Sequence, residues 1–189
     1  MDANRFTSRE LSASGRLRLF SLYLDFPASI RARWANSTVS QFAGADWIVS
    51  TEMWKLESLD ASENIRKMVM QEAARADIIT VVASSLNCRQ YKMVKWLDAL
   101  AGFAAQRSHA GLLIGLFGDA DGQSAELSWT VRSFLDCSSR LNRDFIWHWM
   151  EAGAMNDYGW LSEKLQPFLK RKLLEVEQMH SAALAGVFA

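Results

Sequence analysis

The sequence predicts a three-layer α/β/α fold. A five-stranded parallel sheet in the order 2-1-3-4-5 carries helices on both faces, and a further helix follows at the C-terminus. Three observations carry this. Short apolar runs rich in β-branched and aromatic residues alternate five times with segments of helical periodicity. The first, third and fourth runs are apolar almost throughout, as central parallel strands buried on both faces must be. The connections are short, and right-handed crossovers through five strands favour that order.

The first strand covers Arg16 to Leu24 and ends at Asp25-Phe26-Pro27. Pro27 suits a first helical turn, and Ile30, Trp34, Thr38 and Phe42 then recur on one face before Gly44 stops the helix. The second strand runs from Asp46 to about Leu56, with Trp47, Val49, Thr51 and Met53 on one side. Asp60 with Glu63 three residues on has the spacing of a capping box. Ile65, Met68, Val69, Ala73 and Ala76 form the apolar stripe of the helix behind it.

Ile78 to Ala83 is the third strand. The third helix spans about Arg89 to Gln106, with Met93, Leu97, Leu100, Ala101 and Ala104 facing inward. Gly111 to Phe117 is the fourth strand, followed by the loop Gly118-Asp119-Ala120-Asp121-Gly122. A fourth helix reaches about Asn142. Its predicted buried face holds Leu127, Val131, Phe134, Leu135 and Leu141, with Trp129 roughly opposite. Asp144 to Met150 is the fifth strand.

The expected domains are a disordered leader over 1–15, an α/β domain over 16–150 and a helical extension over 151–189. Met1 to Gly15 is polar and lacks the apolar core of a secretion signal. In the extension, a loop over Glu151 to Tyr158 leads into Trp160-Leu161 and a helix to about Ala185, which Pro167 either kinks or divides. Leu169, Leu173, Val176, His180, Ala183 and Val187 recur at alternating spacings of four and three. Such a seam packs on its own domain or pairs with a second subunit. A homodimer using this seam and Trp129 is the expected assembly.

Composition narrows the function classes. The 189 residues are enough for one domain with a substantial core. Lys+Arg and Asp+Glu both number 21, so the net charge is zero and the basic excess expected of nucleic-acid or anionic-membrane binders is missing. No apolar run approaches the ~20 residues of a membrane span. A cytoplasmic protein is expected, with no nucleic-acid or membrane partner. Cys88 and Cys137 have neither CxxC spacing nor a neighbouring histidine, which fits reduced, packed thiols. Eight tryptophans read mainly as core, with Trp129 as a surface contact.

In such sheets ligands bind beyond the carboxyl ends of the strands, where strand order reverses. The residues placed there are Asp25, Phe26 and Ser29 after the first strand, Ser84, Ser85 and Asn87 after the third, and Asp119 and Asp121 after the fourth.

In element order, residues 16–150 resemble the flavodoxin-like and response-regulator receiver-like superfold. The resemblance implies a site at this same edge. A receiver carries a phosphoacceptor aspartate at the end of its third strand, an acidic pair after the first and a lysine after the fifth. Here Ser84 takes the first position, Asp25 alone represents the pair, and no such lysine is present. A flavodoxin cradles the FMN phosphate in a loop rich in Ser, Thr and Gly after the first strand. Asp25-Phe26-Pro27-Ala28-Ser29 has neither that glycine nor that hydroxyl density. GxGxxG and GxxxxGK[ST] are also absent.

Asp25, Asp119 and Asp121 are hard-cation ligands by type, yet Asp119 and Asp121 beside Gly118 and Gly122 read better as turn and cap residues, which are far commoner. No metal and no cofactor is expected. Ser84 and Ser85 lack a placed base: His109 precedes the fourth strand, His148 lies within the fifth and His180 in the tail. Cys88 opens the third helix without a partner residue. Lys170-Arg171-Lys172 is followed by Glu175 and Glu177, a solvated helix face. The expectation is therefore a non-enzymatic binding or interaction protein. The alternative is a small-molecule or nucleotide-binding enzyme at the carboxyl ends of strands one, three and four.

Overall fold

The computed structural model describes residues 15–84, 90–104, 110–118, 124–150 and 159–187, without the side chains of Asp46, 124–126 and 180–187. In chain order the elements are β1 (Gly15–Tyr23), α1 (Phe26–Ala43), β2 (Trp47–Lys55), α2 (Glu63–Arg75), β3 (Ile78–Ala83), α3 (Gln90–Ala104), β4 (Gly111–Gly118), α4 (Ser124–Arg140), β5 (Arg143–Met150) and α5 (Gly159–Val187). The strands pair in parallel in the order β2-β1-β3-β4-β5.

Alternation along the strands sends side chains into two cores. On one face Phe20, Leu22, Ile79, Val81, Leu113 and Phe117 meet α2, α3 and α4. On the other, Leu17, Leu19, Ile78, Val82, Leu112 and Ile114 meet α1 and α5. Every residue of β3 and β4 is buried, which explains their unbroken apolar character. The five inward residues expected for α3 are all buried.

Several local expectations are corrected. The helix over α1 forms as predicted, and Gly44 ends it at φ 69°. Its buried face, however, is the alanine stripe Ala28, Ala32, Ala35 and Ala43 with Val39, while Trp34 and Phe42 are exposed. Small side chains let a helix approach a sheet closely, and that contact outweighs the larger apolar surface of the aromatic stripe. Asp60 does not cap α2. It ends a 3-10 turn over Leu56–Asp60 and lies near Arg66 and Lys92. Ser62 is the cap, accepting from the Asn64 amide at 3.2 Å. Met68 is exposed and Met70 buried in its place. On α4, Leu135 is 57% exposed, and Phe134, Cys137 and Ser138 fill the inward face.

The amino-terminal rim of the sheet is tied together around Asp77. Its carboxylate accepts from the Arg18 amide at 2.9 Å. The guanidinium of Arg143 donates to the carbonyls of Ala76 and Asp77 at 2.7 and 3.1 Å. Burial pushes Arg143 down to about 10, against the opposing pull of Asp77.

Helix α5 continues through Pro167 as one element. Leu161, Leu165, Phe168 and Leu169 are buried, and Leu173 and Val176 are half-buried against the same core. The upper seam residues thus pack on their own domain. Arg171 reaches Asp144 at 2.7 Å and Lys172 reaches Asp77 at 3.5 Å, both at the amino ends of strands. From there α5 runs on past the rim, about 22 Å farther to Val187 at about 1.5 Å per residue. Among the described residues no helix is long and apolar enough to cross a membrane.

Candidate functional site at the carboxyl ends of β1 and β3

Strand order reverses between β1 and β3, since β1 is followed by β2 on one side and has β3 on the other. Beyond the end of β1 the Leu24 amide still donates to the Val82 carbonyl at 3.1 Å, so the two strand ends are held in register as they open. The chain then turns at Asp25, whose extended backbone makes it the N-cap of α1.

Each oxygen of Asp25 accepts a hydrogen bond. Oδ1 accepts from the Ala28 amide at 2.8 Å, the backbone carbonyl accepts from the Ser29 amide at 3.0 Å, and Oδ2 accepts from the Ser84 hydroxyl at 2.6 Å. The Ser29 hydroxyl turns back to the Phe26 carbonyl at 2.6 Å. Pro27 contributes no amide hydrogen at all. Of the donors over the first four residues of α1, those of Ala28 and Ser29 are bonded to Asp25, Pro27 has none, and that of Phe26 is not engaged by Asp25. Helix N-termini attract anions through free amides and a positive dipole end. Here the anion is the protein's own carboxylate.

Arg31 completes this corner. It lies on the alanine face of α1 and is only 9% exposed. A Cβ added at Gly118 would collide with its guanidinium and lie 2.6 Å from the Ser84 carbonyl. Glycine at the end of β4 is thus what admits the arginine. Neither Arg31 nor Gly118 was expected at the site. The available signal is a charged residue set at helical spacing between Ala28 and Ala35.

The remaining expected residues separate. Phe26 is 76% exposed and turns out to solvent. Ser85, Asn87, Asp119, Asp121 and Cys88 lie outside the described residues. So does the side chain of His180, whereas Leu169, Leu173 and Val176 lie against α1 and the sheet. Among the described residues no three His, Cys, Asp or Glu side chains gather as metal ligands.

Trp129 sits elsewhere, in a groove of about 430 Å³ between α3 and α4. Tyr91 and Trp129, both exposed, stand on its two sides, and Val94 and Cys137 belong to its lining. Arg140 bridges the helices, reaching Asp98 at 2.8 Å and Asp136 at 3.1 Å, and touches the Cys137 sulfur at 3.3 Å. Burial pushes the Cys137 thiol up, and the neighbouring Arg140 only partly offsets this.

No family model matches the chain, and no curated protein matches it. Solved structures with a similar arrangement include a short-chain flavodoxin associated with a non-canonical PDU bacterial microcompartment. That pair has 14% identity and a TM-score of 0.49, over 81% of this chain and 99% of that one. A cysteine-to-serine mutant of flavodoxin from Pseudomonas aeruginosa is similar at 16% identity and a TM-score of 0.46, over 85% of this chain and 99% of that one. Five parallel strands in the order 2-1-3-4-5 with five helices among the described residues make this a flavodoxin-like α/β fold.

Proposed function

We propose that this chain is a binding module that works through its outer surface, without a phosphate-type ligand at the β1–α1 turn. One observation carries the reading: Asp25 holds the Ala28 amide and the Ser84 hydroxyl at the point where an incoming phosphate would need free donors. A phosphate there would lose those donors and meet a carboxylate a few ångströms away, a like-charge contact of about 1 kcal/mol or more even in water-like surroundings. Titration of the full chain with FMN, followed by flavin fluorescence, tests this. No saturation below about 1 mM is expected. Saturable quenching that Asp25→Ala strengthens or abolishes would overturn the reading.

A homodimer through the end of α5 belongs to the same proposal. Leu161, Leu165, Phe168, Lys172, Val176 and Met179 succeed one another at spacings of three and four, so they share a face. That face is buried as far as Phe168, and Lys172 meets the rim of the sheet. Met179 lies beyond the rim and is 63% exposed. A second copy of the same apolar stripe is the self-complementary cover. Light scattering of the full chain is expected to give a dimer, and Met179→Glu a monomer with unchanged circular dichroism. A monomeric wild-type chain would refute the pairing.

One observation favours a second reading, a small-molecule site at the carboxyl ends of β1, β3 and β4. Buried Arg31 brings a cation into the corner that already holds Asp25 and Ser84. Under this reading a small polar ligand spans the two charges. Its mark would be binding that Arg31→Leu removes while the helix content stays intact.

A further inference from the structure

We infer that the groove between α3 and α4 docks an acidic polypeptide segment through one aromatic or long aliphatic anchor. This rests on reading the chain as an interaction module, and is independent of Asp25 and of pairing through α5.

The groove combines two exposed rings with an unbalanced set of charges. Tyr91 and Trp129 face solvent although each has a long apolar face to hide. Trp129 lies outside the core cluster beneath α4 and keeps 42% of its surface exposed. Tryptophan and tyrosine at such places are the residue types that carry interface energy. Val94 and Cys137 supply an apolar lining beneath them.

Charge selects the partner. Both carboxylates of the groove, Asp98 and Asp136, are engaged by Arg140. Lys95 and Arg132 also line it and have no ion-pair partner among the described residues. Three cations against two carboxylates leave the groove one net positive charge beside an apolar lining, with Lys95 and Arg132 the cations outside the Arg140 pairs. A basic segment would meet them as like charges, and an uncharged one would desolvate them without return. Carboxylates flanking a Trp, Phe or Leu anchor would satisfy both cations while the anchor fills the space between the rings. The volume of about 430 Å³ accommodates one large side chain with its neighbours.

Selection of a displayed random dodecapeptide library on the full-length protein tests this. The enriched peptides are then synthesised and measured by fluorescence anisotropy. Enriched sequences are expected to carry net negative charge and at least one Trp, Phe or Leu. Their affinity should fall about tenfold or more for Trp129→Ala and for the double variant Lys95→Glu with Arg132→Glu. Met68→Ala, an exposed residue on α2, should change nothing. A peptide with lysines in place of its carboxylates should bind the charge-reversed double variant, which also shows that the variant is folded. Enrichment of neutral or basic peptides, affinities indifferent to the groove variants, or no enrichment would overturn the inference. Flavin binding at the β1–α1 turn would count against the proposed function and leave this result unaffected.

Discussion

The hydroxyl of Ser84, at the end of β3, donates to Oδ2 of Asp25, at the end of β1, across 2.6 Å. This short bond joins the two strand ends at which the sheet reverses its order, and it orients the carboxylate whose other oxygen caps α1. A hydrogen bond to a charged acceptor is about twice as strong as a neutral one. The corner is therefore held together by the residues that a ligand would otherwise recruit.

Removing the carboxylate should destabilise the fold. Asp25→Ala loses the helix cap and leaves Ser84 without its acceptor, and is expected to cost about 2 kcal/mol in urea unfolding. Asp25→Asn keeps an oxygen for the Ala28 amide and should cost less than half of that. Equal losses for the two variants would mean that capping is not what Asp25 does.

Two glycines should respond oppositely. At Gly118 an added Cβ strikes the Arg31 guanidinium and presses on the Ser84 carbonyl, so Gly118→Ala is expected to cost more than about 2 kcal/mol. At Gly102, within α3, nothing lies within 4 Å of the added Cβ. Gly102→Ala should stabilise by about 0.5–1 kcal/mol through helix propensity. Thermal unfolding of both variants checks the packing of the corner against an internal control.

The phase of α4 is open to the same kind of comparison. Phe134 is fully buried and stacks edge-on against Phe117 at 5.3 Å between ring centres, whereas Leu135 is 57% exposed. Phe134→Ala should cost about 3–5 kcal/mol and Leu135→Ala under about 0.5 kcal/mol. Comparable losses at the two neighbours would place the helix in a different rotation.

Alkaline pH should weaken the fold partly through Cys137. Its folded thiol is held above the ordinary 9.0, chiefly by burial. The unfolded chain therefore releases that proton first, so the contribution is complete below about pH 9 and disappears as pH rises through the folded value. Urea midpoints of wild type and Cys137→Ala measured from about pH 8 to about pH 10.5 should draw closer together as pH rises. A difference that stays constant over that range would show that the thiol does not titrate with unfolding.

Much of the architecture was legible because it depends on periodicity. The run Ile78–Ala83 stands out by its unbroken apolar, β-branched character and the inward set of α3 by its apolar spacing, and both are buried as expected. The face of α1 is not. Periodicity marks large apolar residues such as Trp34 and Phe42, whereas close packing on a sheet selected the alanines beside them. Asp60 and Ser62 are both competent caps of α2 by type, and the 3-10 turn that takes up Asp60 leaves the role to Ser62.

The candidate site was legible in position and not in bonding. The switch-point rule brought Asp25 and Ser84 to one corner. That the serine would satisfy the aspartate is a contact across 59 residues, with no local signature. Arg31 and Gly118 meet only in three dimensions, and a helix-facing arginine reads as a surface residue until its neighbours are known.

The most direct test of the closed corner is a ¹H–¹⁵N correlation spectrum of the full chain titrated with FMN and, separately, with inorganic phosphate. The amides of Ala28 and Ser29 report on the α1 N-terminus, since both are already bonded to Asp25. Neither should shift in a saturable way below about 1 mM ligand. Saturable movement of both amides in that range would contradict the account, because it would mean that the carboxylate gives way to an incoming anion.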